Sequence, residues 1–246
     1  MSTEFVNGQP CWVDVSVADV ATRDELMSRL GTLFGWTFDI GTEETGYYTM
    51  CMVDGVPVVA LMAQPEGQGQ WVTYLATDDI TATAAKVTAN GGQIFMGPME
   101  VMTAGSMALG IDPTGAVFGL WQKNDFPGFP TDSPVGAPSW FDHQSTEPAK
   151  AVAFYKALFD LDEFPSDMGS VLGKGELQFA SFSTPPGTTA AHWAPVILVQ
   201  SLEAAELRAL EAGASVVATG MEVPGGHIAI LDIPAVANLT VFAADA

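Results

Sequence analysis

Two aspartates stand where a side chain could do chemistry in a small cavity, each two residues after a tryptophan, in Trp12-Val13-Asp14 and Trp140-Phe141-Asp142. Along an extended strand residues i and i+2 share a face, so indole and carboxyl lie together. A carboxyl that loses water beside an indole is harder to ionise, and can then orient a ligand hydroxyl or shuttle a proton. The same pattern suits a brace, in which the carboxylate accepts hydrogen bonds from backbone or from Ser and Thr. Of the three histidines, His143 alternates with Trp140 and Asp142 and is predicted to face a helix as a packed or hydrogen-bonded imidazole. His192 falls just outside a strand start. His227 reads as a wall residue or, in an apolar cup, as a general base. Asp14, Asp142 and His227 are thus the candidate catalytic groups. Trp12, Trp71, Trp140 and Trp193, with Thr73 two residues after Trp71, are the candidate contacts for a planar ligand. Met96, Met99, Met102 and Met107 read as core and wall packing. No Gly-rich phosphate loop, Cys-x-x-Cys pair, HExxH or GxSxG occurs, which removes support for nucleotide, thiol-redox, zincin and serine-hydrolase chemistry.

The elements that must position these residues are repeated. Each of the four tryptophans opens a strand-like run that closes seven residues later on a polar residue before a helix: Trp12/Asp19, Trp71/Asp78, Trp140/Glu147 and Trp193/Gln200. In the first copy Val13, Val15 and Val17 alternate with Trp12, Asp14 and Ser16, and Asp19 is placed to cap a helix over 20–33. Strands over 47–53 and 56–63 follow, joined by the hairpin turn Asp54-Gly55. The second copy reads as a strand over 71–77 and a helix over 80–89 stopped by Gly91-Gly92. Strands near Ile94 and over 107–111 come next, then the turn Asp112-Pro113-Thr114-Gly115 and a last strand over 117–122. The third and fourth copies follow more loosely. Residues 123–138 hold four prolines and read as a linker. The expectation is an α+β chain with one domain over 8–122 and a second, more divergent one over 139–246.

Composition narrows the partners. Eight Lys and Arg against 29 Asp and Glu give a formal charge of −21, a surface that repels phosphate backbones and anionic lipid. No apolar run approaches the roughly 20 residues that span a bilayer, and the first basic residue is Arg23, so neither a membrane span nor a signal peptide with a charged start is expected. Two cysteines, Cys11 and Cys51, make no disulfide framework and read as packed strand thiols of a cytoplasmic protein.

With its Trp-x-Asp first strands, Leu33-Phe34-Gly35-Trp36, the helix start Asp78-Asp79, Asn90-Gly91-Gly92 and Asp112-Pro113-Thr114-Gly115 ahead of Gly119-Leu120-Trp121, the chain resembles the vicinal oxygen chelate superfamily of glyoxalases, bleomycin-resistance proteins and dihydroxybiphenyl dioxygenases. More closely it resembles the tandem actinobacterial members. The resemblance implies two domains, each a pair of βαβββ modules forming a cup-shaped sheet. The second is worn, since Asp232-Ile233-Pro234-Ala235 lacks the turn glycine. Metal-dependent members hold a divalent ion with His, Gln or Glu from the first and last strands of each module. Here the corresponding first-strand positions are Trp12, Trp71-Val72-Thr73, Trp140 and Trp193-Ala194-Pro195, and the last-strand ones are Val59-Ala60-Leu61, Phe118-Gly119-Leu120, Ala180-Ser181-Phe182 and Leu239-Thr240-Val241. None is His, Glu or Asp, so no metal and no cofactor are expected. The expected function is metal-independent binding of a small, largely apolar molecule such as a secondary metabolite or antibiotic. The alternative is a cofactor-independent isomerase, cyclase or lyase with an Asp or His as proton shuttle. The first cup is the favoured site, and a chain that holds both modules of each domain can stand as a monomer.

Overall fold

A computed structural model describes residues 4–167 and 169–245 of the chain. The first module comprises β1 (Pro10–Val17), α1 (Val20–Phe34), β2 (Thr37–Ile40), β3 (Thr49–Val53) and β4 (Val56–Ala63). The second comprises β5 (Trp71–Ala76), α2 (Ile80–Ala89), β6 (Gln93–Val101), β7 (Gly105–Ile111) and β8 (Val117–Lys123). The third comprises β9 (Pro138–Gln144), α3 (Pro148–Phe159), β10 (Asp162–Ser166), β11 (Gly169–Lys174) and β12 (Leu177–Ser183). The fourth comprises β13 (His192–Leu198), α4 (Leu202–Glu211), β14 (Ser215–Val223), β15 (Gly226–Asp232) and β16 (Leu239–Ala244). Four βαβββ modules are thus present, and the fold is α+β. Short, mostly exposed β2 escapes the sequence pattern because the four alternating residues Thr37-Phe38-Asp39-Ile40 are too few to separate a strand from the loop after α1.

The strands form two mixed eight-stranded sheets, ordered β2-β3-β4-β1-β5-β8-β7-β6 and β10-β11-β12-β9-β13-β16-β15-β14. Within every module the first strand runs parallel to the last, as in β1 with β4 and β9 with β12, while the remaining pairings are antiparallel hairpins. Helix starts follow local chemistry. Asp19 accepts the Thr22 amide at 2.8 Å, Asp79 the Ala82 amide at 2.9 Å and Ser201 the Ala204 amide at 3.1 Å. The caps of α2 and α4 therefore lie one residue beyond Asp78 and Gln200, whereas α3 starts on Pro148 with no side-chain cap. The turn Asp54-Gly55 has positive φ at both residues, as a type I′ hairpin requires.

The hydrogen-bonded sheets follow the two halves of the sequence, but compactness does not. One compact unit is Met1–Trp12, Val72–Thr131 and Trp140–Ala194; the other is Val13–Trp71, Asp132–Ser139 and Pro195–Ala246. Each draws one module from each half. In the first unit α2 lies beside α3, with the Lys86 ammonium on the Leu158 carbonyl at 3.2 Å, and Phe118 meets Phe154 and Tyr155 edge-on. In the second α1 lies beside α4, where the Arg29 guanidinium donates to the Ala212 carbonyl at 2.6 Å, and Leu26, Leu30, Ile197 and Leu231 are fully buried. Among the described residues no helix is long and apolar enough to cross a membrane.

Candidate functional site

On β9 the side chains of Trp140 and Asp142 share a face, and parallel pairing sets Asp142 opposite Ser181 of β12. The Trp140 Nε1–H donates to Ser181 Oγ at 3.1 Å, and the Ser181 hydroxyl donates to Asp142 Oδ1. Trp140, Asp142 and Ser181 are all half-buried, so a small molecule can reach them. Loss of hydration pushes the Asp142 carboxyl above its usual pKa, against the opposing pull of Ser181, the charge of His192 and Trp140. Such a group can donate a hydrogen bond to a ligand oxygen or exchange a proton with it. Nothing in the sequence singles out Ser181, because only its cross-strand position, not its neighbours in the chain, ties it to Asp142.

The other candidates are placed differently. Asp14 is buried and accepts the Tyr48 hydroxyl at 3.2 Å. Trp12, buried too, meets Phe126 edge-on at 4.8 Å and stacks on Phe129 at 6.5 Å, while Trp121 Nε1 donates to the Phe126 carbonyl at 2.9 Å. Phe126 and Phe129 belong to the stretch read as a linker. It therefore covers the Trp12 indole instead of merely crossing between sheets. Trp71 is 3% exposed and its indole N–H is spent on the Ala237 carbonyl at 3.2 Å. Thr73 is fully buried, with no hydrogen-bond partner for its hydroxyl among the described residues. His227 is half-exposed, its Nδ1 3.3 Å from Asp245 Oδ1. His192 Nδ1 lies 3.2 Å from the Ala190 carbonyl. Both thiols are buried and pushed upward in pKa by desolvation, which makes them poor nucleophiles.

Trp193 faces α3, where it joins a buried polar cluster that the sequence does not announce. Its Nε1–H donates to the Tyr155 hydroxyl at 2.9 Å, which in turn donates to Asp112 Oδ2 at 3.0 Å. His143 Nε2 reaches the same oxygen at 2.7 Å, and Asp112 Oδ1 accepts from the Thr114 amide and hydroxyl and the Ala116 amide. His143 thus faces a helix, as alternation predicts, and is fully buried against Phe182. Burial alone would push the Asp112 carboxyl up, but the bonds and charge of His143 and the bonds of Thr114 together hold it below its ordinary value. An ionised Asp112 takes the hydrogen of His143 Nε2. Burial and the adjacent Asp112 charge push the Tyr155 phenol well above its usual pKa. The turn Asp112-Pro113-Thr114-Gly115 is visible in the sequence, but its long-range partners are not.

Two surface hollows of about 580 and 440 Å3 flank α3, and no candidate residue lines either. A divalent ion needs several converging N and O donors. Among the described residues no group of three His, Cys, Asp or Glu side chains could hold one, and opposite Asp14 and Asp142 stand only Ala60 and Ser181. Among the described residues, the side chains at these strand positions do not supply the donor set that holds the metal in metal-dependent members.

No family model matches the chain. It is 30% identical to CFP32 of Mycobacterium tuberculosis, a protein with a provisional glyoxylase name, over 94% of this chain and 93% of that one. It is 31% identical to the anthracycline biosynthesis protein DauV of Streptomyces sp. strain C5, over 97% of this chain and 94% of the relative. The fold superposes on the Mn(II)-bound glyoxalase from Novosphingobium aromaticivorans with a TM-score of 0.68 at 16% identity, covering 97% of this chain and 82% of that one. Module count, sheet order and full-length relatives agree, and the chain belongs to the vicinal oxygen chelate superfamily as a tandem member with two pairs of βαβββ modules.

Proposed function

We propose that this chain binds a small, largely apolar, planar organic molecule of secondary metabolism without a metal, at the β9–β12 face that bears Trp140, Ser181 and Asp142. The hydrogen-bonded run from Trp140 through Ser181 to Asp142 carries this reading: it fixes an indole plane beside a half-buried carboxyl. The indole supplies stacking area and the carboxyl a single polar anchor, the usual division of labour in a pocket for a mostly apolar ligand. Kinship with DauV supports secondary metabolism as the setting, and the lack of converging donors supports independence from metal. The first-domain indoles are weaker candidates, since Phe126 covers Trp12 and Ala237 engages Trp71. The hydrogen-bonded sheets support a division of the duplication into 8–122 and 139–246.

A second reading, a cofactor-independent isomerase, cyclase or lyase, rests on the raised proton affinity of Asp142. In it Asp142 passes a proton to or from a ligand oxygen or adjacent carbon while Trp140 holds the ring. An anthracycline-type aglycone titrated against indole fluorescence, with chelator present throughout, tests both. Trp140→Ala should weaken binding by about 0.5–1.5 kcal/mol beyond the lost contact area. Asp142→Asn should leave binding within a few-fold, and separates the readings: loss of product formation with binding intact identifies an enzyme. Unchanged binding in folded Trp140→Ala removes this face as the site.

A further inference from the structure

The methionines of β6 and the turn after it have no part in the ligand reading, and the structure does not bury them as the sequence suggests. Met96, Met99 and Met102 are 45%, 49% and 72% exposed, and Phe95 beside them is 48% exposed. β6 is the last strand of its sheet, so one of its edges has no neighbour. Register shifts between Ile94 and Met96 and between Met96 and Met99 break its alternation, and the adjacent side chains Phe95 and Met96 both lie exposed. Exposed apolar side chains standing together in this way mark interaction surfaces.

Charge selects the occupant. The chain carries −21, yet residues 90–109 contain one ionisable side chain, Glu100. Two copies repel each other over most of their surface, and a nearly uncharged apolar strip is where they can meet at least electrostatic cost. The equivalent edge strand of the second sheet, β14, exposes only Val217 among large apolar residues and includes Glu222. Leu207 and Leu210 of α4 are also exposed, but they stand among Glu203, Glu206, Arg208 and Glu211. One self-complementary strip per chain closes as a two-fold dimer, whereas two would propagate. Methionine suits the task because its flexible thioether packs against a copy of itself without a preformed hole.

We propose that Phe95, Met96, Met99 and Met102 form the interface through which two copies of this chain associate as a two-fold symmetric dimer. Each sheet is complete within one chain, so the dimer is not needed to build the fold, and the strip is small enough that association is reversible. Sedimentation velocity over about a hundredfold range of concentration should reveal a monomer–dimer equilibrium that tightens as added salt screens the net charge. The pair Phe95→Asp with Met99→Asp should give a monomer throughout at unchanged melting temperature, and Leu207→Asp with Leu210→Asp should leave the dimer intact. A wild-type chain that stays monomeric at every concentration and salt level overturns the proposal. So does a dimer that survives the Phe95 and Met99 substitutions, or one that only the Leu207 and Leu210 pair abolishes.

Discussion

The turn after β7 and the turn after β15 hold the same place in their modules and are anchored by opposite means. Asp112 is buried, and its carboxylate gathers Thr114 and Ala116 from its own turn with His143 and Tyr155 from the third module. Its counterpart Asp232 is exposed. Around it the backbone does the anchoring: the Ala237 amide donates to the Gly69 carbonyl at 2.8 Å, and the Ala237 carbonyl accepts the Trp71 indole at 3.2 Å. Gly115 has φ +100°, and Ala235, four residues into a turn lengthened before β16, still has φ +78°. The two turns therefore share a left-handed residue at the same place but not the side-chain chemistry that anchors it. What replaces it here is contact with main-chain carbonyls, which constrains side-chain identity less than a buried charge does.

The sharpest way to break this comparison is to remove both aspartates. Asp112→Ala should cost about 3–5 kcal/mol in denaturant unfolding, because it strands the His143, Tyr155 and backbone donors in a dry interior. Asp232→Ala should stay within about 0.5 kcal/mol, as an exposed side chain does. Similar losses for the two would mean that the turns are not anchored differently. The sign of the acid limb follows. Folded Asp112 titrates below the ordinary carboxyl value of 3.8, so the stability it contributes is complete above that value and is lost as pH falls toward the folded one. In Asp112→Asn the acid dependence of unfolding should flatten.

Tyr155→Phe tests how far the cluster depends on a continuous run of donors. It removes the hydroxyl between Trp193 and Asp112 without touching the ring contacts, and should cost about 1–3 kcal/mol. A loss confined to a few tenths would show that water or a rearranged His143 replaces the phenol. The smallest effect should come from the other turn. Ala235→Gly relieves a left-handed backbone that disfavours a Cβ, offset by greater freedom of the unfolded chain, for a net gain of about 0.5–1 kcal/mol. A loss of stability would instead give the Ala235 methyl group a packing role.

How much could be read without coordinates divides along physical lines. The strand from Val56 to Ala63 and the helix from Ile80 to Ala89 have the limits that periodicity and turn chemistry assign. The turns at Asp54-Gly55 and Asp112 and the cap at Asp19 were equally legible, since their partners lie within a few residues. The orientation of Trp193 was not. β13 is buried on both faces, so its sequence holds no polar alternation to say which side meets α3, and an indole assigned to a ligand lies instead on Tyr155. Prolines break periodicity over 123–138 and mark it as a connector, yet composition cannot say that Phe126 and Phe129 find Trp12.

The sequence by itself therefore determined four repeated strand–helix modules and their duplication, because each follows from neighbours along the chain or from residue type alone. Tertiary structure decided which aspartate stays half-buried beside an indole and a serine, which is buried among five donors and which indoles are already engaged. Those choices depend on cross-strand register and on pairs of residues tens of positions apart, such as Asp142 with Ser181 and Asp112 with His143. In such pairs the energy of a buried hydrogen bond is set by the packed surroundings and not by the residues next in sequence.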